Sequence, residues 1–151
     1  MTYSNSLLLL LLLWLLFNWL APATVMMYGA ERLSLGRLPA DLLRRTEAKR
    51  VRFYLGTCRR SYGYSVWVWP YTVVIFDRRF FTAASGDLVR FVVAHELGHV
   101  IHRDHVQRWW AVVTGVALLP IIKRRFEEQE QSADRYAIAL TGLQRSQFPG
   151  L

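Results

Sequence analysis

His95, Glu96 and His99 stand in the run Val92-Val93-Ala94-His95-Glu96-Leu97-Gly98-His99-Val100-Ile101, and no other feature limits the possible folds of this chain so far. On a helix of 3.6 residues per turn, His95 and His99 share a face with Cβ atoms about 5–6 Å apart. That spacing suits one metal ion. Zn²⁺ takes imidazole nitrogens at about 2.0–2.1 Å in a tetrahedral shell, and a catalytic site keeps one position open for water. Glu96 can then serve as general base toward that water. The flanks agree with a helix over about Gly86 to Arg103: Leu88, Phe91, Val92, Leu97, Val100 and Ile101 supply apolar surface, Ser85 and Asp87 are N-cap candidates, and Gly98 is the one Gly between Asp87 and His102. Two histidines at i and i+4 can also be ordinary core or surface residues, so the motif needs a further ligand.

The 151 residues have room for one domain with one small core. Part of the chain is set aside first. Leu7 to Tyr28 is almost wholly apolar, interrupted by Asn18 and Pro22, and has the length of roughly 20 residues that a bilayer-crossing helix needs. Ala21-Pro22-Ala23 resembles a signal-cleavage site, but Met1 to Ser6 carries no Lys or Arg, so an anchor is the expectation and secretion after cleavage the alternative. Arg32, Arg37, Arg44, Arg45, Lys49 and Arg50 follow, which places the remainder on the cytoplasmic side of a single-pass arrangement.

The net charge of +8 and the clusters Arg59-Arg60, Arg78-Arg79 and Lys123-Arg124-Arg125 raise the question of nucleic acid. The clusters form no single stripe, and no nucleic-acid signature or phosphate loop accompanies them; anionic lipid is the simpler expected partner. Cys58 is the one cysteine, so no internal disulfide is available.

The expected organisation is a membrane anchor over residues 1–28, a juxtamembrane linker with an amphipathic helix over 29–50, a catalytic domain over 51–143 and a loose tail over 144–151. Pro39 to Val51 places Leu42, Leu43 and Thr46 among charges, which predicts the amphipathic helix. Val51 to Leu55, Tyr62 to Trp69 and Thr72 to Phe76 read as strands, with Arg79 to Thr82 extending the last one after a turn. Trp109 to Ile122 is a second apolar stretch, expected as a buried or interfacial helix or as a segment tilted into the membrane. Arg125 to Leu140 reads as a final helix stopped by Thr141-Gly142.

A catalytic zinc site usually has three protein ligands. The final helix offers Glu130, with Asp134 on the same face to accept a hydrogen bond from a ligand imidazole. His105 is the rival, six residues after His99 at the third-histidine spacing of the metzincins; that spacing calls for Gly where this chain has His102. His-Glu-Leu-Gly-His followed, 31 positions after His99, by Glu130-x-x-Ala133-Asp134 resembles the gluzincin metallopeptidases of the M48 type. The resemblance runs from about Tyr71 to Gly142. It implies His95, His99 and Glu130 as ligands of one Zn²⁺, Glu96 as base and Asp134 behind a ligand. It also implies an edge strand that pairs with extended substrate, expected at Thr72 to Phe76, and a residue that steadies the tetrahedral intermediate, for which Tyr136 and Arg145 are the candidates.

Together these give an α+β fold: an N-terminal transmembrane helix, then a small zincin-like domain whose short antiparallel sheet packs on the motif helix, and a glutamate-bearing C-terminal helix. The expected function is that of a membrane-anchored zinc endopeptidase acting on a peptide or protein substrate. A non-enzymatic zinc-containing scaffold or binding module beside the bilayer is the alternative.

Overall fold

The computed structural model describes residues 6–14, 16, 29–45, 50–58, 61–68, 71–116 and 119–148. Its elements run β1 (Glu31–Arg32), α1 (Ala40–Arg45), β2 (Val51–Gly56), β3 (Gly63–Val68), β4 (Tyr71–Asp77), α2 (Arg78–Ala83), α3 (Gly86–Ile101), α4 (Asp104–Val113) and α5 (Pro120–Thr141), with short 3₁₀ turns at Leu35–Arg37 and Arg145–Gln147. Thr46 and the Arg59-Arg60 pair lie outside the described residues.

The sheet is mixed, in the order β1-β2-β4-β3. β1 is antiparallel to β2, and β3 is antiparallel to β4 with Gly63 opposite Phe76. β2 and β4 run parallel, Val51 opposite Thr72. The wholly antiparallel sheet expected above is thus corrected. β3 and β4 run in opposite directions, and β4 lies beside β2 in the same direction. As a central strand, β4 has Val73, Val74, Ile75 and Phe76 all buried, which is why its sequence is an unbroken apolar run without alternation. The expected substrate edge at Thr72 to Phe76 is corrected with it: among the described residues the edge strands are the two-residue β1 and the six-residue β3.

α3 lies against this sheet through Phe91, Val92, Val93, Ala94 and Leu97, which share one core with Phe53, Leu55, Val74 and Phe76. Ser85 caps α3, its Oγ accepting from Leu88 N at 3.3 Å. Arg79 to Thr82 is helical, not strand. Asp77 is the reason: its carboxylate accepts from Phe80 N at 3.0 Å as the N-cap of α2, an option that competes with a hairpin turn wherever Asp precedes the bend.

The stretch Trp109 to Ile122 is two helix ends, not one element. α4 stops at Val113, Gly115 turns in the left-handed region at φ 76°, and Pro120 occupies the first turn of α5. The membrane anchor and the single-pass location expected from Leu7 to Tyr28 are also corrected. Residues 6–14 are helical with Leu7 to Trp14 exposed, residues 15 and 17–28 lie outside the described residues, and no helix among the described residues is long and apolar enough to cross a membrane. The tail is likewise not loose throughout. Phe148 packs on Phe91 with ring centroids 5.6 Å apart, and Arg145 reaches α5.

Candidate metal centre

α3 carries His95, Glu96 and His99; α5 carries Glu130 and Asp134. What brings the two helices together is Gly98. A Cβ there would lie 3.1 Å from Ala133 Cα, 3.4 Å from Ala133 Cβ and 3.3 Å from Tyr136 Cβ, so the helices approach as closely as backbone allows. Buried Ala133 and Ala137 supply the matching small surface on α5.

At this contact His95, His99 and Glu130 offer ligand atoms all within 4.8 Å of one another. The two Nε2 atoms are 3.2 Å apart. Glu130 Oε2 is 3.3 Å from His95 Nε2 and Oε1 is 3.4 Å from His99 Nε2. The second face of each imidazole is occupied. Nδ1 of His95 lies 2.9 Å from Asp134 Oδ1, and Nδ1 of His99 lies 2.9 Å from Asp104 Oδ2, with Asp104 itself buried. Each Nδ1 therefore donates to a carboxylate, and each Nε2 turns a lone pair toward the other and toward Glu130. Lone pairs converging at that range repel unless a cation lies among them. Two imidazole nitrogens and one carboxylate oxygen are the donor set of a catalytic zinc site, so the residues fit a divalent ion.

The surrounding charge agrees. Glu96, Glu130, Asp104 and Asp134 gather about the imidazoles, while Arg108 and Arg145 bond to two of them. With neutral imidazoles and ionised carboxylates, two negative charges are left over. Burial alone would discourage a proton on His99, yet Glu130, Glu96 and Asp104 outweigh it and raise its pKa. Burial opposes ionisation of Glu130 too; the adjoining His95 and His99 and the Arg108 guanidinium override it and hold that carboxyl well below the usual range. Glu96 goes the other way. It is 5% exposed, burial raises its pKa against the pull of both histidines, and its Oε2 has no hydrogen-bond partner. An unpartnered buried carboxylate oxygen at the floor of a cleft is what a proton acceptor for an incoming ligand requires.

The cleft, about 930 Å³, opens between β3, α2 and α3 and includes the cluster. Gly63 of β3 belongs to its floor: a Cβ there would lie 3.0 Å from the Phe76 ring and 3.3 Å from Glu96 Cγ. Asp77 N donates to Tyr62 O at 2.9 Å; by antiparallel alternation Gly63, Ser65 and Trp67 turn their N–H and C=O groups to the open side of β3, which has no strand partner among the described residues.

The remaining sequence candidates divide. His105 is buried but outside the cluster, with Nε2 3.0 Å from Thr72 Oγ1 and Nδ1 3.3 Å from His99 O. Tyr136 packs beside Gly98, and its ring meets His102 edge-on at 6.1 Å, away from the cleft. Arg145 lines the cleft, with Nη1 2.8 Å from Asp134 Oδ2. Three residues were not singled out from sequence: Asp104, Arg108 and Gly63. Asp104 reaches His99 because Arg103 takes the left-handed conformation, φ 58°, and turns the chain back under α3. That is a position where a non-Gly residue is uncommon. The motif's one visible signal for Asp104 is a carboxylate five residues beyond a ligand histidine.

Cys58 also lines the cleft, and burial, with Asp77 and Glu96 nearby, pushes its thiol up to about 11. The thiolate is the nucleophile, so at pH 7.5 alkylation of Cys58 by iodoacetamide should run on the order of 100-fold slower than a free thiol. The rate should climb with pH until about 11. Free-thiol reactivity at neutral pH would contradict this environment.

Residues 75–128 match the family model described as YgjP-like, metallopeptidase domain. The match covers a little over a third of the chain and contains His95, Glu96 and His99, ending two residues before Glu130. No curated protein matches the chain. The domain from β4 to the start of α5 is thus similar to a metallopeptidase, and its His/Glu cluster is compatible with a metal ion.

Proposed function

We propose that this chain is a zinc-dependent endopeptidase of gluzincin type, in which His95, His99 and Glu130 hold the ion, Asp134 and Asp104 fix the two imidazoles, and Glu96 moves the proton. The observation that carries this reading is the convergence of two imidazole lone pairs and a carboxylate beside a buried carboxylate oxygen without a partner. A structural metal site closes its shell with protein ligands and has no use for such an oxygen, which favours the enzyme over a scaffold. When bound, Zn²⁺ supplies Lewis acidity to water and to the scissile carbonyl.

The chain's own residues then divide the work. β3 presents Gly63, Ser65 and Trp67 as an unpaired edge, and an extended peptide pairs with it as an added strand. Gly63 lets that peptide lie close over Glu96. Glu96 accepts a proton from the attacking water, and the same carboxyl delivers it to the leaving nitrogen as the C–N bond breaks. The half-buried cleft limits competing bulk water, which strengthens every charge interaction in it.

Elemental analysis tests the metal assignment. Wild type should carry one zinc per chain, whereas His99→Ala and Glu130→Ala should lose affinity by more than the roughly 10–100-fold that removal of an outer hydrogen-bond partner causes. Full occupancy in Glu130→Ala would remove Glu130 from the ligand set.

A further inference from the structure

Three arginines line the cleft: Arg79, Arg108 and Arg145. Arg145 bonds to Asp134, and exposed Arg79 stands beside Asp77 at the start of α2. Arg108 differs from both. Its Nη2 lies 2.7 Å from Glu130 Oε1, so its guanidinium touches the cluster itself. Nη2 also reaches Phe126 O at 3.4 Å, and Nε donates to Gln129 Oε1 at 3.0 Å. Gln129 is buried and is fixed in turn through Nε2 to Gln107 Oε1 at 3.1 Å. A guanidinium is planar, so holding Nε and Nη2 fixes Nη1 as well. Nη1 bonds to no described residue.

We propose that Arg108 is a catalytic residue of the peptidase, its free Nη1 donating to the carbonyl oxygen of the scissile bond and holding that oxygen as it becomes an oxyanion. This rests on the peptidase reading above. As water oxygen bonds to the carbonyl carbon, the C=O π pair moves onto oxygen and the water proton passes to Glu96; Arg108 gives a hydrogen bond and no proton. When the C–N bond breaks, the pair returns to form the carboxyl group, and Glu96 protonates the amine. The donor is positioned before reaction by Gln129 and Phe126, so little reorganisation is needed when charge develops, which is the condition under which such a donor is effective. Its positive charge also reaches Glu96. Tyr136 does not line the cleft, and Arg145 is half exposed and held through Nη1 to Asp134 alone, so neither meets this condition.

The test compares Arg108→Ala, Arg108→Lys and Gln129→Met with wild type, using fluorescently labelled casein as substrate, elemental analysis for zinc, and a phosphoryl dipeptide as tetrahedral mimic. In Arg108→Ala, kcat should fall on the order of 10²–10³-fold while zinc stays at one per chain, KM moves only a few-fold and the mimic weakens in step with kcat. Arg108→Lys should recover part of the loss. Gln129→Met, which removes the anchor and not the donor, should lower kcat with zinc retained. An Arg108→Ala enzyme with full zinc and kcat within a few-fold of wild type overturns the proposal. So does an activity loss that excess zinc restores, or a variant that cannot be loaded, since either makes Arg108 only a support for Glu130. A wild type that binds zinc but cleaves neither casein nor a mixed peptide pool fails earlier, at the peptidase reading.

Discussion

Glu96→Gln should give a folded protein that binds zinc as wild type does and turns over substrate on the order of 10²–10⁴-fold more slowly. Glutamine has the shape of glutamate, and shape matters at this position. Glu96 is 5% exposed and lies against Gly63 so closely that one added methyl on Gly63 would stand 3.3 Å from its Cγ. The amide fits the same space and keeps the helix face that presents His95 and His99. It cannot accept a proton from water, and it cannot return one to the amine. The variant should also unfold at a higher temperature than wild type when both are metal-free, because the wild type holds a carboxylate in a buried place with one oxygen unpartnered. Elemental analysis, thermal unfolding and casein hydrolysis read the three expectations separately. Turnover equal to wild type would end the assignment of Glu96 as the base.

What the sequence made legible was whatever rests on local pattern. The period of apolar residues and the cap at Ser85 place α3 within two residues of its observed end, and Gly142 stops α5 with φ 73° as a C-terminal Gly does. The spacing of Glu130 and Asp134 along one helix face was visible too, and the fold carries both to the histidines. Strand partners were not visible, because alternation identifies a strand without naming its neighbours; β4 was expected at an edge and is central. Asp77 was open to two local solutions, a hairpin turn or a helix cap, and the cap prevails because its carboxylate also accepts from Cys58 N at 2.9 Å, across the fold. Asp104 and Arg108 required tertiary knowledge: the first depends on a left-handed arginine, the second on α4 lying across α5. A run of leucines reads as a membrane helix whenever composition alone is weighed, whereas no described helix here has the length and apolarity to cross one.

Gly98→Ala should damage the centre without touching a ligand. In an exposed helix interior this exchange stabilises by about 1 kcal/mol, since Gly loses more backbone freedom on folding. Here the added methyl meets Ala133 Cα at 3.1 Å, a backbone atom that cannot rotate away, and Tyr136 Cβ at 3.3 Å. Relief requires α3 and α5 to move apart by a few tenths of an ångström, and overpacking of this kind costs typically about 1–3 kcal/mol. The packing loss matches or exceeds the helix gain, so net stability should fall by up to about 2 kcal/mol. The ligands report the same movement more sharply. His95 and His99 sit on α3 and Glu130 on α5, so separation of the helices opens the ligand set itself, and Asp134 draws back from His95 Nδ1 at the same time. Zinc affinity should therefore drop by more than the loss of global stability explains. Unfolding curves with and without zinc, measured on the variant beside wild type, separate the two effects. A Gly98→Ala protein as stable as wild type with unchanged zinc affinity would show that the close approach of these helices is not what assembles the site.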